Sequence, residues 1–149
     1  MPVAGALRIK DLFHAAAGVT IDLDDVKRYQ DFVYDKLYDL LLMGVVSAKD
    51  NGRDVIRRSD LPITKGLQER MREFDKLADQ IAVEPVMEQL ATYPPLDAAV
   101  GEDAEERLPS VVGGLTVALA RCFVVLEPER KNPGTEQWDK AIELFDLLL

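Results

Sequence analysis

The sequence predicts an all-α fold built from two tandem short–long–short helix units, the first over residues 1–82 and the second over residues 83–149, packed as one compact domain. Three observations predict it. Apolar residues recur at helical spacing along nearly the whole chain. Glycine and proline breaks separate the helical segments at Gly18, Gly52, Pro94–Pro95 and Pro133–Gly134. The order of segment lengths in the first half recurs, less cleanly, in the second. A chain of 149 residues, 48% hydrophobic but only 7% aromatic, is rich in Ala, Leu and Val and long enough to bury a core.

Ile9, Leu12, Phe13 and Ala16 share one helical face, and Gly18 is a natural C-terminal stop. Asp22 is a candidate N-cap for the next helix, with Asp24 and Asp25 in its first turn, where the helix dipole favours negative charge. From Val26 through Tyr29, Val33, Leu37, Leu40, Leu41, Gly44 and Val45 to Ala48 a single stripe runs on to Gly52. That makes a helix of roughly 28 residues, about 40 Å long. Asp60 then reads as an N-cap and Pro62 as a first-turn residue of a third helix, whose stripe is Ile63, Leu67, Met71, Phe74, Leu77 and Ile81.

In the second half Pro85 opens a helix carrying Val86, Met87 and Leu90, and TYPPL (92–96) ends it. A long apolar pattern follows from Leu108 to Leu126, its first turn expected near Pro109 because a proline further in would kink it. EPERKNPGT breaks the pattern. Thr135 is the expected cap of a last helix that points Trp138, Ala141, Ile142, Phe145 and Leu148 inward.

The net charge of −9 is unevenly placed. Residues 1–75 carry 12 Lys/Arg and 13 Asp/Glu, a net of −1, whereas residues 76–149 carry 6 and 14, a net of −8. Such acidity opposes indiscriminate attraction to nucleic acid or anionic membrane. The single cysteine, Cys122, excludes an internal disulfide and sits in an apolar pattern, which suits a small buried hydrophobe in a reducing compartment. The N-terminal residues lack the pattern of a signal peptide, and the longest unbroken apolar run falls short of a membrane span. A cytoplasmic location, with nucleoid association as a variant of it, is the expectation.

Enzyme signatures are absent from the sequence. His14 is the one histidine, so no histidine-based metal cluster can form. VVGGLT (111–116) lacks the Lys-Ser/Thr of a phosphate loop and lies in a helical pattern. The carboxylates of GEDAEER (101–107) read as helix-start charges, and no EF-hand spacing accompanies them. Neither a cofactor nor a metal is expected.

The segment NGRDVIRRSDL (51–61) resembles the end of the central helix, second loop and third-helix start of archaeal histones, through Gly52, Arg53, Ile56, Arg57, Asp60 and Leu61. With KLYDLLL, DLPITKGLQE, PPLD and KNPGTE in the same order, nearly the whole chain resembles a bacterial and archaeal family of unknown function that fuses two histone-fold motifs in one chain. The resemblance implies an intramolecular handshake pseudo-dimer, monomeric because each long helix has its crossing partner in cis. It implies an ion pair between Arg53 and Asp60 that ties the loop to the third helix, a structural role that outweighs direct phosphate contact. It makes Gly44, Gly113 and Gly114 candidates for close approach of the two long helices, against the plainer reading that they are merely tolerated.

The same resemblance implies candidate DNA contacts at Lys10, Arg53, Arg57, Arg58, Arg130 and Lys131, with Lys27 and Arg28 nearby. The sequence departs from the DNA-binding pattern at Asp54, Val55 and Thr20. It also lacks the arginine–aspartate pair in the second unit, where Gln137 follows Arg130 by seven. Few usable cations on an acidic chain give weak affinity for double-stranded DNA. The expected role is therefore a non-enzymatic protein-interaction or scaffold module with a protein partner, and the alternative is a weak, non-sequence-specific DNA-binding architectural protein.

Overall fold

The computed structural model describes residues 3–77, 81 and 83–149, with side-chain environments from Arg8 onward. The chain is predominantly helical. Its elements in order are α1 (Val3–Ala17), α2 (Val26–Asp50), β1 (Val55–Ile56), α3 (Lys65–Lys76), α4 (Val83–Leu90), β2 (Ala99–Val100), α5 (Glu102–Leu126) and α6 (Thr135–Leu148). The expected unit boundary after Ala82 touches a residue outside the described set.

Both long helices have 25 residues, about 37 Å at the α-helical rise. α2 is shorter than its apolar stripe suggested because residues 23–25 wind as a 3-10 turn ahead of it. Asp22 takes the N-cap position of that turn with Asp24 and Asp25 inside it, and the side-chain bond comes from Asp25, whose carboxylate accepts the backbone N–H of Asp22 at 3.1 Å. Gly18 ends α1 with φ +67°, and Gly52 follows α2 with φ +70°, a conformation in which a side chain would be strained.

The third helix also starts differently. Asp60 does not cap α3; it closes a separate 3-10 turn (Arg58–Asp60), and Pro62 lies in the extended link that follows. Thr64 caps α3 instead, its hydroxyl accepting the Leu67 N–H at 3.1 Å. α3 ends at Lys76, so Ile81 belongs to no helix, although it still packs on the core.

α5 begins at Glu102 and carries Pro109 in its interior, not in its first turn. Proline there leaves the Glu105 carbonyl without its helical donor. The local cost is outweighed by packing, because Leu108, Pro109, Val111 and Val112 are all buried. By length and mean hydropathy (1.8 over its most apolar window) α5 would suffice to span a bilayer. In this fold α1, α3, α4 and α6 pack around it, which accounts for its apolarity as that of a central core helix. α6 starts at Thr135 with Gly134 as its cap residue, and Leu148 points outward, 78% exposed, whereas Trp138 and Ala141 are buried.

The packing is crossed between the two halves. α3, from the first half, lies on α5 of the second. α6 lies on α2, where Phe145 meets Phe32 edge-on at 4.9 Å and Asp146 pairs with the buried Lys36. The long helices touch through the Tyr29 and Thr116 hydroxyls, 2.6 Å apart and fully buried. The glycines serve this arrangement differently from expectation. A Cβ on Gly113 would collide with the Phe74 ring, and one on Gly114 with the Met71 side chain, so both glycines seat α3 on α5. Gly44 makes room for Ile56 of β1. None of the three lies where the long helices meet.

The loops cross as well. β1 pairs in parallel with β2, Val55 with Ala99 and Ile56 with Val100, in a two-residue ladder. At the opposite end the Thr20 N–H donates to the Lys131 carbonyl at 2.7 Å.

Candidate functional site

The paired loops gather the cations that the sequence singled out. At the first end Arg53 and Asp60 form a bidentate pair, Nη1 to Oδ2 at 2.6 Å and Nη2 to Oδ1 at 2.9 Å. The same carboxylate accepts the Arg57 backbone N–H at 2.7 Å and the Ser47 hydroxyl at 2.8 Å. Four hydrogen bonds to a side chain only 2% exposed satisfy the buried charge. Arg53 first, then the Arg57 N–H, hold the Asp60 carboxyl well below the usual carboxylate range. The sequence showed Arg53 and Asp60 seven apart; it held no sign of Ser47, one turn up α2.

That chemistry commits Arg53 to the loop. A second donor contact, Nη1 to the Val55 carbonyl at 3.0 Å, leaves its guanidinium largely engaged. Around it the charges alternate. Lys49 binds Asp54 at 2.7 Å and lies 3.9 Å from Asp97, and these two carboxylates are 87% and 94% exposed. Arg57 is exposed with its Nε 3.9 Å from Asp103. Arg58 is exposed on the same turn and has no carboxylate partner.

At the second end Arg130 donates from Nε to the Asn132 carbonyl at 2.8 Å, Lys131 is exposed, and Asn132 donates to the Asp22 carboxylate at 3.5 Å. Gln137 takes the position corresponding to Asp60. Its Oε1 accepts the Gly134 N–H at 2.9 Å and its Nε2 donates to Glu127 at 2.7 Å. The second loop is thus closed by a neutral amide. Lys10 lies on α1, outside both loop pairs.

A different surface is apolar. Leu42, Met43 and Val46 are exposed on the outer face of α2, 42%, 55% and 50% respectively. Leu144, Leu147 and Leu148 are exposed near the end of α6. A recess of about 450 Å³ opens between α3, α5 and α6, lined by Leu67, Ala118, Cys122, Leu144, Phe145 and Leu148. Cys122 is half-buried there, and burial pushes its thiol pKa up, the opposite of an activated nucleophile. The α2 residues lie off the core stripe, so helical periodicity does not mark them. The unbroken run LLLMGVV, apolar beyond one helix face, was the available signal. His14 is exposed, and among the described residues no group of three His, Cys, Asp or Glu side chains could hold a metal ion.

Residues 9–146 match the model of a family described as a domain of unknown function, DUF1931. An uncharacterized protein of Aquifex aeolicus (strain VF5) is 34% identical over 99 residues, 66% of this chain, and the match spans only 57% of that protein's length. A second uncharacterized protein of the same organism is 26% identical over 136 residues, covering 83% of this chain and 79% of its own. Among solved structures, a protein from Thermus thermophilus superposes with a TM-score of 0.93 at 46% identity, with 97% of each chain covered. A protein from Aquifex aeolicus superposes with a TM-score of 0.79 at 24% identity, covering 95% of this chain and 93% of its own, a likeness of fold alone.

Proposed function

The chain belongs to the DUF1931 family, and from that premise we propose that it is a fused pair of histone-fold units acting as a non-enzymatic scaffold for a protein partner. The fold part of this reading draws support from the crossed packing. Each half is a short–long–short helix set with a 25-residue centre. α3 lies on the other half's long helix, α6 touches α2 as well as its own α5, and the loops pair crosswise at both ends. A second chain is not needed to bury either long helix, so the molecule is a monomer in this reading.

The observation that carries the partner reading is the exposed face of α2. Three large apolar side chains, Leu42, Met43 and Val46, stand side by side on a chain with a net charge of −9. Contiguous apolar surface of this kind marks interaction sites on soluble domains. The test compares the proteins retained by the parent with those retained by a Leu42→Glu, Met43→Glu, Val46→Glu variant of unchanged circular dichroism. Partners lost with the variant support the reading, and an identical set removes its basis.

One observation favours the alternative, weak double-stranded DNA binding without sequence preference: Arg57 and Arg58 are both exposed on the first loop pair. Against it, Asp54, Asp97 and Asp103 share that surface. Fluorescence anisotropy with duplex DNA separates the two. A shallow salt slope, about −0.9 per phosphate neutralised, with affinity abolished by Arg57→Glu plus Arg58→Glu, would establish the alternative. No binding at ~50 mM salt would leave the scaffold reading alone.

A further inference from the structure

Among the described residues, the arginines that make neither an ion pair nor a hydrogen bond are Arg58, Arg72 and Arg107. They come from three separate elements: the 3-10 turn after β1, α3 and α5. All three border one polar recess of about 400 Å³ between α3 and the N-terminal half of α5, with Gln68 and Ser110 beside them. Every other arginine from Arg28 onward has a partner, so the convergence is specific to this recess. We propose that this recess is a binding site for the phosphoryl group of a small molecule, a phosphomonoester or pyrophosphate held by Arg58, Arg72 and Arg107.

The three arginines border the recess together with three carboxylates, Asp75, Asp103 and Glu106, so the lining is balanced in charge, yet none of the three arginines forms an ion pair with them. Arg107 is the clearest case: its Nε is buried without a partner. Burial, and then the charge of Arg58, weaken its hold on its proton, with Asp75 acting in the opposite sense. Two of these carboxylates have other partners. Asp103 accepts the Ala104 N–H at 2.8 Å and faces Arg57, and Asp75 takes the Ser110 hydroxyl at 3.5 Å. Guanidinium forks match phosphoryl oxygens in spacing and charge, and a dianion gains from several at once. The remaining carboxylate at the rim, Glu106, is exposed. A recess of this size admits a phosphoryl group with a small bearer.

The experiment is isothermal titration with inorganic pyrophosphate at low ionic strength, with duplex DNA as a parallel arm. The parent should bind pyrophosphate saturably at one site. Arg72→Gln, an exposed position whose change leaves the core untouched, should weaken binding at least about tenfold, the loss of one charge-assisted contact. Arg107→Gln should do the same, with circular dichroism showing that the fold is retained. Absence of heat and of any thermal shift at ~10 mM pyrophosphate overturns the proposal. So does binding that survives in the Arg72→Gln variant. Duplex DNA binding that depends on these arginines, without pyrophosphate binding, overturns it in favour of a nucleic-acid backbone.

Discussion

Gln137 holds in the second half the place that Asp60 holds in the first: each side chain accepts the backbone N–H three residues before it, at 2.9 and 2.7 Å. The difference is charge, because Asp60 also binds Arg53 through both oxygens and Gln137 has no cationic partner. Replacing Asp60 with alanine should therefore lower the melting temperature more than replacing Gln137 does. A double-mutant cycle of Asp60→Ala with Arg53→Ala should show coupling, since a buried carboxylate left behind by the loss of Arg53 lacks its counter-charge. Strictly additive single effects would show that the pair contributes nothing.

The same pair predicts a pH dependence. The folded Asp60 carboxyl is held well below the carboxylate range, and in the unfolded chain it titrates near its ordinary value of about 4. A group whose pKa is depressed by folding contributes fully above its unfolded value and loses that contribution as pH falls toward its folded one. Urea midpoints should consequently fall more steeply below about pH 4 in the parent than in Asp60→Asn. Parallel curves for the two proteins would contradict this.

Alanine at Gly113 should destabilise the fold although alanine is the better helix former. The added methyl would meet the Phe74 ring, buried at the α3–α5 seam. Overpacking of this kind costs about 1–3 kcal/mol, more than the gain of about 1 kcal/mol in helix propensity. Gly66 on α3 is the control, because a Cβ there meets nothing within 4 Å. Chemical denaturation should rank Gly66→Ala above the parent and Gly113→Ala below it.

Because α3 lies on α5 of the other half and α6 touches α2 as well as its own α5, the core is shared between the halves. Residues 1–82 and 83–149 expressed separately should each lack cooperative unfolding, and mixing them should restore a single transition. A cooperative transition in either fragment alone would show that the halves are independent domains.

Reading these features from sequence succeeds where the determinants are local. Helical stripes and the Arg53–Asp60 spacing lie within one short segment and are visible in it. The choice between Asp60 and Thr64 as cap of α3 is not, since both residue types cap well and the intervening link around Pro62 decides it. Gly113 and Gly114 announce a close approach without saying to which helix. The recess of Arg58, Arg72 and Arg107 joins residues 49 positions apart in sequence, and only the crossed packing brings them together. A two-residue ladder such as β1–β2 has no period to detect.

The unequal loop closures give the molecule a direction. One end is bridged by a two-residue ladder beside a charged clasp, the other by the Thr20–Lys131 backbone bond and the Asn132–Asp22 and Arg28–Thr135 side-chain bonds beside a neutral amide. A pair of identical chains would present the same face at both ends and could only build arrays that look alike in either sense. Here a ligand or neighbour can tell head from tail. Successive copies along any linear assembly would carry an orientation, and a change confined to one end would leave the other as it was.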